Sequence, residues 1–390
     1  MSNESVLEEH HLEFREMARE FATKRLDGVG TKIDLADGRI PDEIMAEMGR
    51  LGFFGLTLPE AYGGLGQDLT SMCVVTEELA AAGLTFGSVI HRNSVCGELL
   101  ARSGTEEQKQ RFLPGLASGE LQSSSSGTEP EAGSDAANIK TRAVRDGDHY
   151  VLNGSKQWTT NADRAGVLFT YVRTSDESKH HGISLLMVEK EPGEQFVPPT
   201  LTGTHLPTAG YHGMHSYSLY FSDHRVPVAN LVGGVEGQGF RQLMKGYESA
   251  RITFAFRCIG LARAAYESAK RHTAEREQFG QSLDRFQAVR FRLADMATQI
   301  EAARALGLMA ARGFDSGRRV DLEAGMAKLF AAEMAHKVAW DALYLHGGAG
   351  YAIEADVNRH WRDSGLLPIG EGTSDIQREV IARRLLDAAR

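Results

Sequence analysis

The 390-residue sequence is poor in cysteine and has no excess of positive charge. Its three cysteines, Cys73, Cys96 and Cys258, are far apart and form no Cys-x-x-Cys pair, which is typical of a protein from a reducing compartment. The formal net charge of -9 and the lack of a Lys/Arg-rich block argue against nucleic acid as a partner. An anionic ligand would therefore need a local basic pocket.

Long apolar runs are also missing. No run approaches the length of a membrane span, so we expect no membrane partner. Residues 1–14 are acidic and have neither the basic nor the apolar part of a secretory signal, which predicts a cytoplasmic protein. A hydrophobic content of 42% with 24% charged residues is typical of a folded globular chain.

Several motifs of cofactor and metal chemistry are absent from the sequence. We find no Gly-x-Gly-x-x-Gly after a predicted strand, no P-loop, no Gly-x-Ser-x-Gly and no His-Glu-x-x-His. His212 and His215 are three residues apart but have no partner at metal-ligand spacing, so no metal site is predicted. A Rossmann-type dinucleotide site is therefore unsupported.

The hydrophobic pattern divides the chain into three domains, at residues 1–121, 122–236 and 237–390. Apolar residues spaced by three and four predict helices in the first and third domains, whereas a period of two predicts strands in the second. The predicted helices are 4–26, 42–51, 69–83, 105–118, 240–274, 284–315, 321–346 and 374–388. The predicted strands are 166–173, 182–189 and 216–222, with a hairpin around Asn153-Gly154. The fold class is α+β, mainly α.

Three polar clusters carry the chemistry, at residues 127–135, 157–161 and 368–377. In the third, Ser374 and Gln377 form a capping-box pair that predicts a helix start. Glu371 lies just before it between two glycines, whose backbones allow a ligand to approach closely. The helix terminus favours the carboxylate and burial raises its pKa, so Glu371 is a candidate general base. The alternative is that it only stabilises the helix start.

These clusters resemble the acyl-CoA dehydrogenase family, and the resemblance covers nearly the whole chain. The matching segments are 52–66, 103–120, 127–135, 157–161, 274–280, 346–351 and 371–377. The resemblance implies an N-terminal helical domain, a small central β-barrel or sandwich and a C-terminal four-helix bundle. It also implies FAD as the cofactor and an acyl-CoA substrate, with Glu371 removing the α-proton. Some members carry the base on an earlier helix, but Ala250 occupies that position here.

The resemblance further implies residues for each ligand. The flavin would contact Ser126, Thr128, Gly133, Ser134, Trp158, Thr159, Thr160, Thr373 and Asp375. The pyrophosphate and adenine would be held across a subunit boundary by Arg276, Phe279, Gln287, Tyr344, Gly347 and Gly348. The substrate would contact Ser134, Gly372, the segment from Glu248 to Arg251, and His91 and Arg92. A homotetramer, as a dimer of dimers, and an electron-transfer flavoprotein as partner are implied as well.

The sequence departs from the family pattern at three places. Ser123–Ser126 replace larger apolar residues, which predicts a smaller and more polar flavin wall. Tyr344 stands where Gln or an acid is common, so one adenosine contact should differ. His91 and Arg92 lie on the helix that lines the far end of the acyl pocket, where charge suits a short or polar acyl chain. The alternative is that both side chains turn outward.

Two other functions share these motifs. One is a dehydrogenase or oxidase that acts on an acyl group held by a carrier protein. The other is a non-catalytic half-site subunit that lends Arg276 and residues 344–348 to a partner's flavin. The serine run and Tyr344 favour the latter, whereas four retained residues together argue against it, namely Glu371, Trp158, Thr160 and Arg276.

Overall fold

The computed structural model describes residues 6–177 and 179–387. Its first part is helical, as the sequence predicts. A capping box of Thr105 and Gln108 starts the last helix of this part. The helices are α1 (Glu9–Arg25), α2 (Val29–Leu35), α3 (Asp42–Arg50), α4 (Leu69–Ala82), α5 (Leu84–Ser103) and α6 (Glu106–Ser118). The periodicity did not predict α5, because this helix is buried almost all round and has little polar face.

The middle part is one curled seven-stranded sheet. Its strands are β1 (Ser123–Ser126), β2 (Arg142–Asp146), β3 (His149–Thr160), β4 (Val167–Arg173), β5 (Ile183–Glu189), β6 (Leu201–Leu206) and β7 (Ser216–Pro227). The order is β1-β4-β2-β3-β7-β6, with β5 antiparallel to β4. The serine run forms β1, which pairs with β4 in parallel.

The predicted hairpin around Asn153-Gly154 is wrong. β3 runs straight through this pair, and its register with β7 shifts between Leu152 and Gly154, as in a β-bulge. Gly154 has φ +142°, and a Cβ there would lie 2.7 Å from the Cα of Thr141. The turn between β2 and β3 instead contains Gly147, at φ +61°. A glycine inside a strand pattern can mark a bulge as well as a turn.

The last part is helical again, close to the predicted ranges. It contains α7 (Gly239–Glu275), α8 (Gln287–Asp315), α9 (Asp321–His346), α10 (Gly348–Tyr351), α11 (Asp356–Ser364) and α12 (Ser374–Asp387). A short ribbon of β8 (Glu277–Gln278) and β9 (Gln281–Ser282) separates α7 from α8. α7, α8, α9 and α12 form the bundle. Residue 388, the predicted end of the last helix, lies outside the described residues.

One hydrophobic core joins the first and last helical parts. Phe86 from α5 and Phe254 and Phe256 from α7 are fully or almost fully buried in it. α5 also packs against β1, so this helix contacts both the bundle and the sheet. Within residues 6–177 and 179–387, no helix is both long and apolar enough to cross a membrane.

Candidate active site

Glu371 lies in the turn before α12, where its carboxylate meets two basic side chains. Its Oε2 atom is 3.0 Å from Nε2 of His91, and its Oε1 accepts a 2.9 Å hydrogen bond from Nη2 of Arg257. Both basic side chains are 3% exposed, whereas that of Glu371 is 25% exposed. The backbone is in the left-handed region, with φ +53° at Glu371 and +89° at Gly372. The carboxylate is therefore anchored from inside and open to a ligand from outside.

The electrostatics of Glu371 differ from the sequence expectation. Burial opposes the charged form, but the charge of Arg257 and the hydrogen bond from His91 prevail and hold the pKa of Glu371 well below its usual range. Burial does raise this pKa, as the sequence argument expects, but the net shift is downward because that argument did not include Arg257. Glu371 is ionised in this arrangement and is a weak base while the two contacts persist.

Neighbouring hydroxyl groups fix both partners of Glu371. Oγ1 of Thr253 is 2.6 Å from Nδ1 of His91, and Arg257 Nη1 donates to Oγ of Ser88 at 2.9 Å. Burial lowers the pKa of His91, which favours the neutral ring. A carboxylate only accepts hydrogen bonds, so Nε2–H of His91 donates to Glu371, while the hydroxyl of Thr253 lies between Nδ1 and the carbonyl oxygens of Ser249 and Ala250 at 3.0 and 3.1 Å. The histidine predicted to line the acyl pocket therefore points inward at the base.

Hydrogen bonds from a lysine of α9 stabilise the glycine turn that carries Glu371. The buried Lys328 donates to the carbonyl oxygens of Leu367 at 3.1 Å and of Gly372 at 2.7 Å. Gln377 Nε2 also donates to the Gly372 oxygen, at 3.1 Å. The predicted cap by Ser374 is wrong: Oγ1 of Thr373 accepts from the N–H of Ile376 at 3.2 Å, one residue earlier in the chain.

Sequence reasoning missed Arg257, Thr253 and Lys328. The signal that could have found two of them is a charged residue inside an apolar helical run. Arg257 interrupts the segment 252–261, and Lys328 interrupts the buried face of α9. Charged side chains are almost never buried without a partner, and here the partners are Glu371 for Arg257 and two backbone carbonyl oxygens for Lys328.

The other predicted substrate residues lie around this centre in different settings. The Arg251 guanidinium is buried and lies 4.9 Å from the ring centroid of Tyr247. Arg92 is half-buried, and neither arginine forms an ion pair with a described residue. Glu248 accepts a long hydrogen bond from the N–H of Val320, at 3.4 Å. Ser134 is exposed in the loop after β1.

The serine strand connects α5 to the end of β3. Asn93, two residues after His91, accepts from the N–H and the hydroxyl of Ser123 at 2.8 and 2.9 Å. Ser124 donates to the carbonyl of Thr160 at 2.6 Å, and the hydroxyls of Ser126 and Thr159 are 3.0 Å apart. These three serine hydroxyls are buried and used internally. The expectation of a more polar wall is therefore wrong for Ser123, Ser124 and Ser126.

A second β-bulge turns Trp158 away from the sheet. The register with β7 shifts between Lys156 and Thr159, and Trp158 has φ +59°. Its side chain is 53% exposed, whereas Thr159 is fully buried. Thr160 is hydrogen-bonded to Ser216 at 2.9 Å. Thr128 and Gly133 lie on the loop that follows β1; Thr128 is half-buried and Gly133 is exposed.

The remaining predicted cofactor residues form a separate surface. Arg276 comes directly after α7 and 19 residues after Arg257, about 28 Å away at the rise of an α-helix. Its guanidinium forms no ion pair with the described residues, and the side chain of Phe279 is 94% exposed. The other members of this surface, all exposed, are Gln287, Tyr344, Gly347 and Gly348. Asp375 is also exposed, at the start of α12.

Three family models match successive parts of this chain. They are the acyl-CoA dehydrogenase N-terminal domain at residues 8–120, the middle domain at 124–224 and the C-terminal domain at 237–386. The chain belongs to the acyl-CoA dehydrogenase family. The fold class predicted from the sequence and its resemblance is thereby confirmed, as is the enzyme class, an oxidoreductase acting on CH–CH groups.

Similar proteins support the same membership of the acyl-CoA dehydrogenases. A (2S)-methylsuccinyl-CoA dehydrogenase of Cereibacter sphaeroides is 44% identical over 98% of this chain and 71% of its own length. Butyryl-CoA dehydrogenase of Megasphaera elsdenii has a TM-score of 0.92 at 34% identity, covering 97% of this chain and 99% of its own. A chain of the structure named for the electron transferring flavoprotein of Acidaminococcus fermentans has a TM-score of 0.93 at 37% identity, covering 97% and 98%.

Members of the acyl-CoA dehydrogenase family depend on FAD, and so does this chain. The residues present fit such a cofactor. The indole of Trp158 already projects from the sheet, so a flavin ring can lie against it without displacing protein contacts. The guanidinium of Arg276 has no acidic partner within 6–177 and 179–387, which suits a pyrophosphate. Phe279 offers an exposed ring for an adenine.

Proposed function

We propose that this acyl-CoA dehydrogenase oxidises a short acyl-CoA to the trans-2-enoyl-CoA with Glu371 as the base. The observation that carries the proposal is the carboxylate of Glu371, which is ionised, partly exposed and followed by a glycine with no side chain. An ionised carboxylate can accept the α-proton of a thioester that lies in the opening. FAD, when bound, supplies the acceptor for the hydride that leaves the β-carbon.

The backbone beside Glu371 supports enolate formation. The N–H of Glu371 donates no hydrogen bond to any described residue. It precedes α12, whose amino end carries partial positive charge. We therefore assign this N–H to the thioester carbonyl oxygen, where it would stabilise the negative charge that develops as the proton leaves.

The substrate and acceptor follow from the similar proteins. The relatives named above act on methylsuccinyl-CoA and butyryl-CoA, which both carry short acyl chains. We propose a short acyl chain here and an electron-transfer flavoprotein as the acceptor, which the similarity to the Acidaminococcus fermentans structure supports.

The proposed assembly is a homotetramer. Its support is the exposed surface of Arg276, Phe279 and Tyr344, in which Arg276 lies about 28 Å along α7 from Arg257, the partner of the base in the same chain. In a shared site, this surface would hold the distal part of a cofactor whose ring lies against another copy.

An anaerobic titration with acyl-CoA thioesters tests the proposal. The panel contains butyryl-, isobutyryl-, methylsuccinyl-, glutaryl- and palmitoyl-CoA, and the visible absorbance of the purified flavoprotein is followed. Bleaching by a short thioester is expected. If no CoA thioester bleaches a bound flavin but a carrier-protein thioester does, the substrate assignment is wrong. Absence of stoichiometric FAD would instead favour the half-site subunit.

A further inference from the structure

The carboxylate of Glu371 is surrounded by several basic side chains. Glu371 is electrostatically coupled to Arg257, His91, Arg92 and Lys328. Arg251 also acts on Lys328 from α7. Among the other acids of this region, Glu98 already binds the hydroxyls of Thr57 and Ser249, and Glu248 and Asp321 act on Arg251. One partly exposed carboxylate therefore faces several basic groups, so the pocket favours a further anion.

Arg257 is the basic group that most depends on Glu371. Its side chain is 3% exposed, its Nε has no hydrogen-bond partner among the residues that the structure describes, and its guanidinium lies 4.3 Å from the ring centroid of Phe254. Glu371 is its one ion-pair partner among the described residues. If Glu371 moved to a substrate and took up a proton, Arg257 would keep only Ser88. A buried charge without an ionic partner is costly. A neutral acyl chain would therefore leave the charge of Arg257 without a partner once Glu371 has moved.

We propose that the acyl chain of the substrate bears a second carboxylate, which replaces Glu371 on Arg257 and His91 and so releases Glu371 to act as the base. This inference rests on the proposed function and assigns its substrate class. The two basic groups already hold one carboxylate at 2.9 and 3.0 Å, so their geometry for another is formed. Arg257 presents a planar donor group that suits a carboxylate.

The position of the base limits the length of that acyl chain. The α-carbon must lie within reach of Glu371, and the second carboxylate must lie where Glu371 now rests. The acid is therefore two or three carbons beyond the thioester carbonyl, as in succinyl-type and glutaryl-type thioesters. The exchange also frees Glu371 from the charges that depress its pKa, which strengthens it as a base.

The binding test uses two CoA thioethers of matched size that cannot be dehydrogenated. S-(3-carboxypropyl)-CoA and S-butyl-CoA differ only in the terminal carboxylate, and their dissociation constants for the holoenzyme are measured by calorimetry. We expect the wild type to prefer the acidic analogue on the order of 100-fold, as for a hydrogen-bonded charge pair. Arg257→Gln should abolish the preference, and Arg257→Lys should retain part of it.

A charge-matched control separates direct contact from general electrostatics. Arg102→Gln removes a positive charge from the same helix as His91, but from a side chain that is 42% exposed and paired with Glu98. It should retain the wild-type preference. If Arg257→Gln does not fold, the double variant Arg257→Gln/Glu371→Gln removes both partners of the buried pair and should show no preference.

Two outcomes overturn the inference. One is equal affinity of the wild type for both thioethers, and the other is an undiminished preference in a folded Arg257→Gln variant. In either case bleaching by butyryl-CoA would leave the proposed function intact. Conversely, a flavin that no CoA thioester bleaches would contradict the proposed function, whereas the thioether affinities would still decide the charge preference.

Discussion

The ammonium group of Lys328 donates a 2.7 Å hydrogen bond to the carbonyl oxygen of Gly372, the residue after the proposed base. Lys328 is fully buried, and burial lowers its pKa from 10.5 to about 8. We expect Lys328→Met to loosen the turn around Glu371 and to slow flavin reduction. Retained FAD with a slower reductive half-reaction, measured by stopped flow, is the expected result.

The same residue predicts a pH effect on stability. Below about pH 8 both the folded and the unfolded chain carry the charge, and its burial costs up to about 3 kcal/mol. The unfolded chain keeps the proton up to pH 10.5, so this cost disappears as the pH rises from 8 to 10.5. The urea midpoint of the wild type should therefore rise relative to that of Lys328→Met between pH 7 and 10. A pH-independent difference would contradict this.

Replacing the proposed base should stop the chemistry without removing the cofactor. Glu371→Gln keeps the size of the side chain but cannot accept a proton, so we expect flavin reduction to slow by about 10²- to 10⁴-fold. Glu333→Gln, on the partly exposed side of α9, is the matched control. A Glu371→Gln variant that is bleached at the wild-type rate would assign the base to another residue.

Trp158 predicts a selective effect on FAD. Because its side chain is 53% exposed, Trp158→Ala should leave the urea midpoint of the FAD-free protein within experimental error of the wild type. The dissociation constant of FAD should rise about tenfold through loss of a stacking contact. Tyr220→Ala removes another half-exposed aromatic side chain of the same sheet, and FAD affinity should not respond to it. Fluorescence titration of the two FAD-free variants measures their dissociation constants for FAD. If both variants lose the same FAD affinity, Trp158 has no special role in binding the cofactor.

The bulge at Gly154 can be tested against the turn at Gly147. Gly154→Ala should lower the free energy of unfolding by about 1–3 kcal/mol, because its positive φ is strained and its Cβ would meet the backbone of Thr141 at 2.7 Å. Gly147 also has positive φ, but its Cβ would meet nothing within 4 Å. Gly147→Ala should therefore cost less, about 1 kcal/mol. Urea unfolding gives the free energy of unfolding of both variants. If the two variants lose the same amount, the positive φ alone explains the loss and the contact with Thr141 contributes nothing.

The sequence predicted long elements well and special positions poorly. α9 was placed at its observed bounds because its apolar stripe is continuous. The hairpin predicted at Asn153-Gly154 was wrong because a glycine that suits a tight turn also suits a β-bulge. Glu371 was found from its glycines, but its partner Arg257 lies 114 residues away in the chain. Periodicity is local, so it carries no information on which distant charges meet.

The length of α7 keeps substitutions at the acyl end of the site apart from the residues proposed to hold the cofactor. Arg257 lies in α7 and Arg276 directly follows its end, about 28 Å away, which is several times the distance over which salt screens charges. Substitutions at residue 257 therefore alter the acyl end of the site with little electrostatic effect at residue 276. A lineage with this architecture can acquire new acyl specificities step by step while its hold on the cofactor is inherited unchanged.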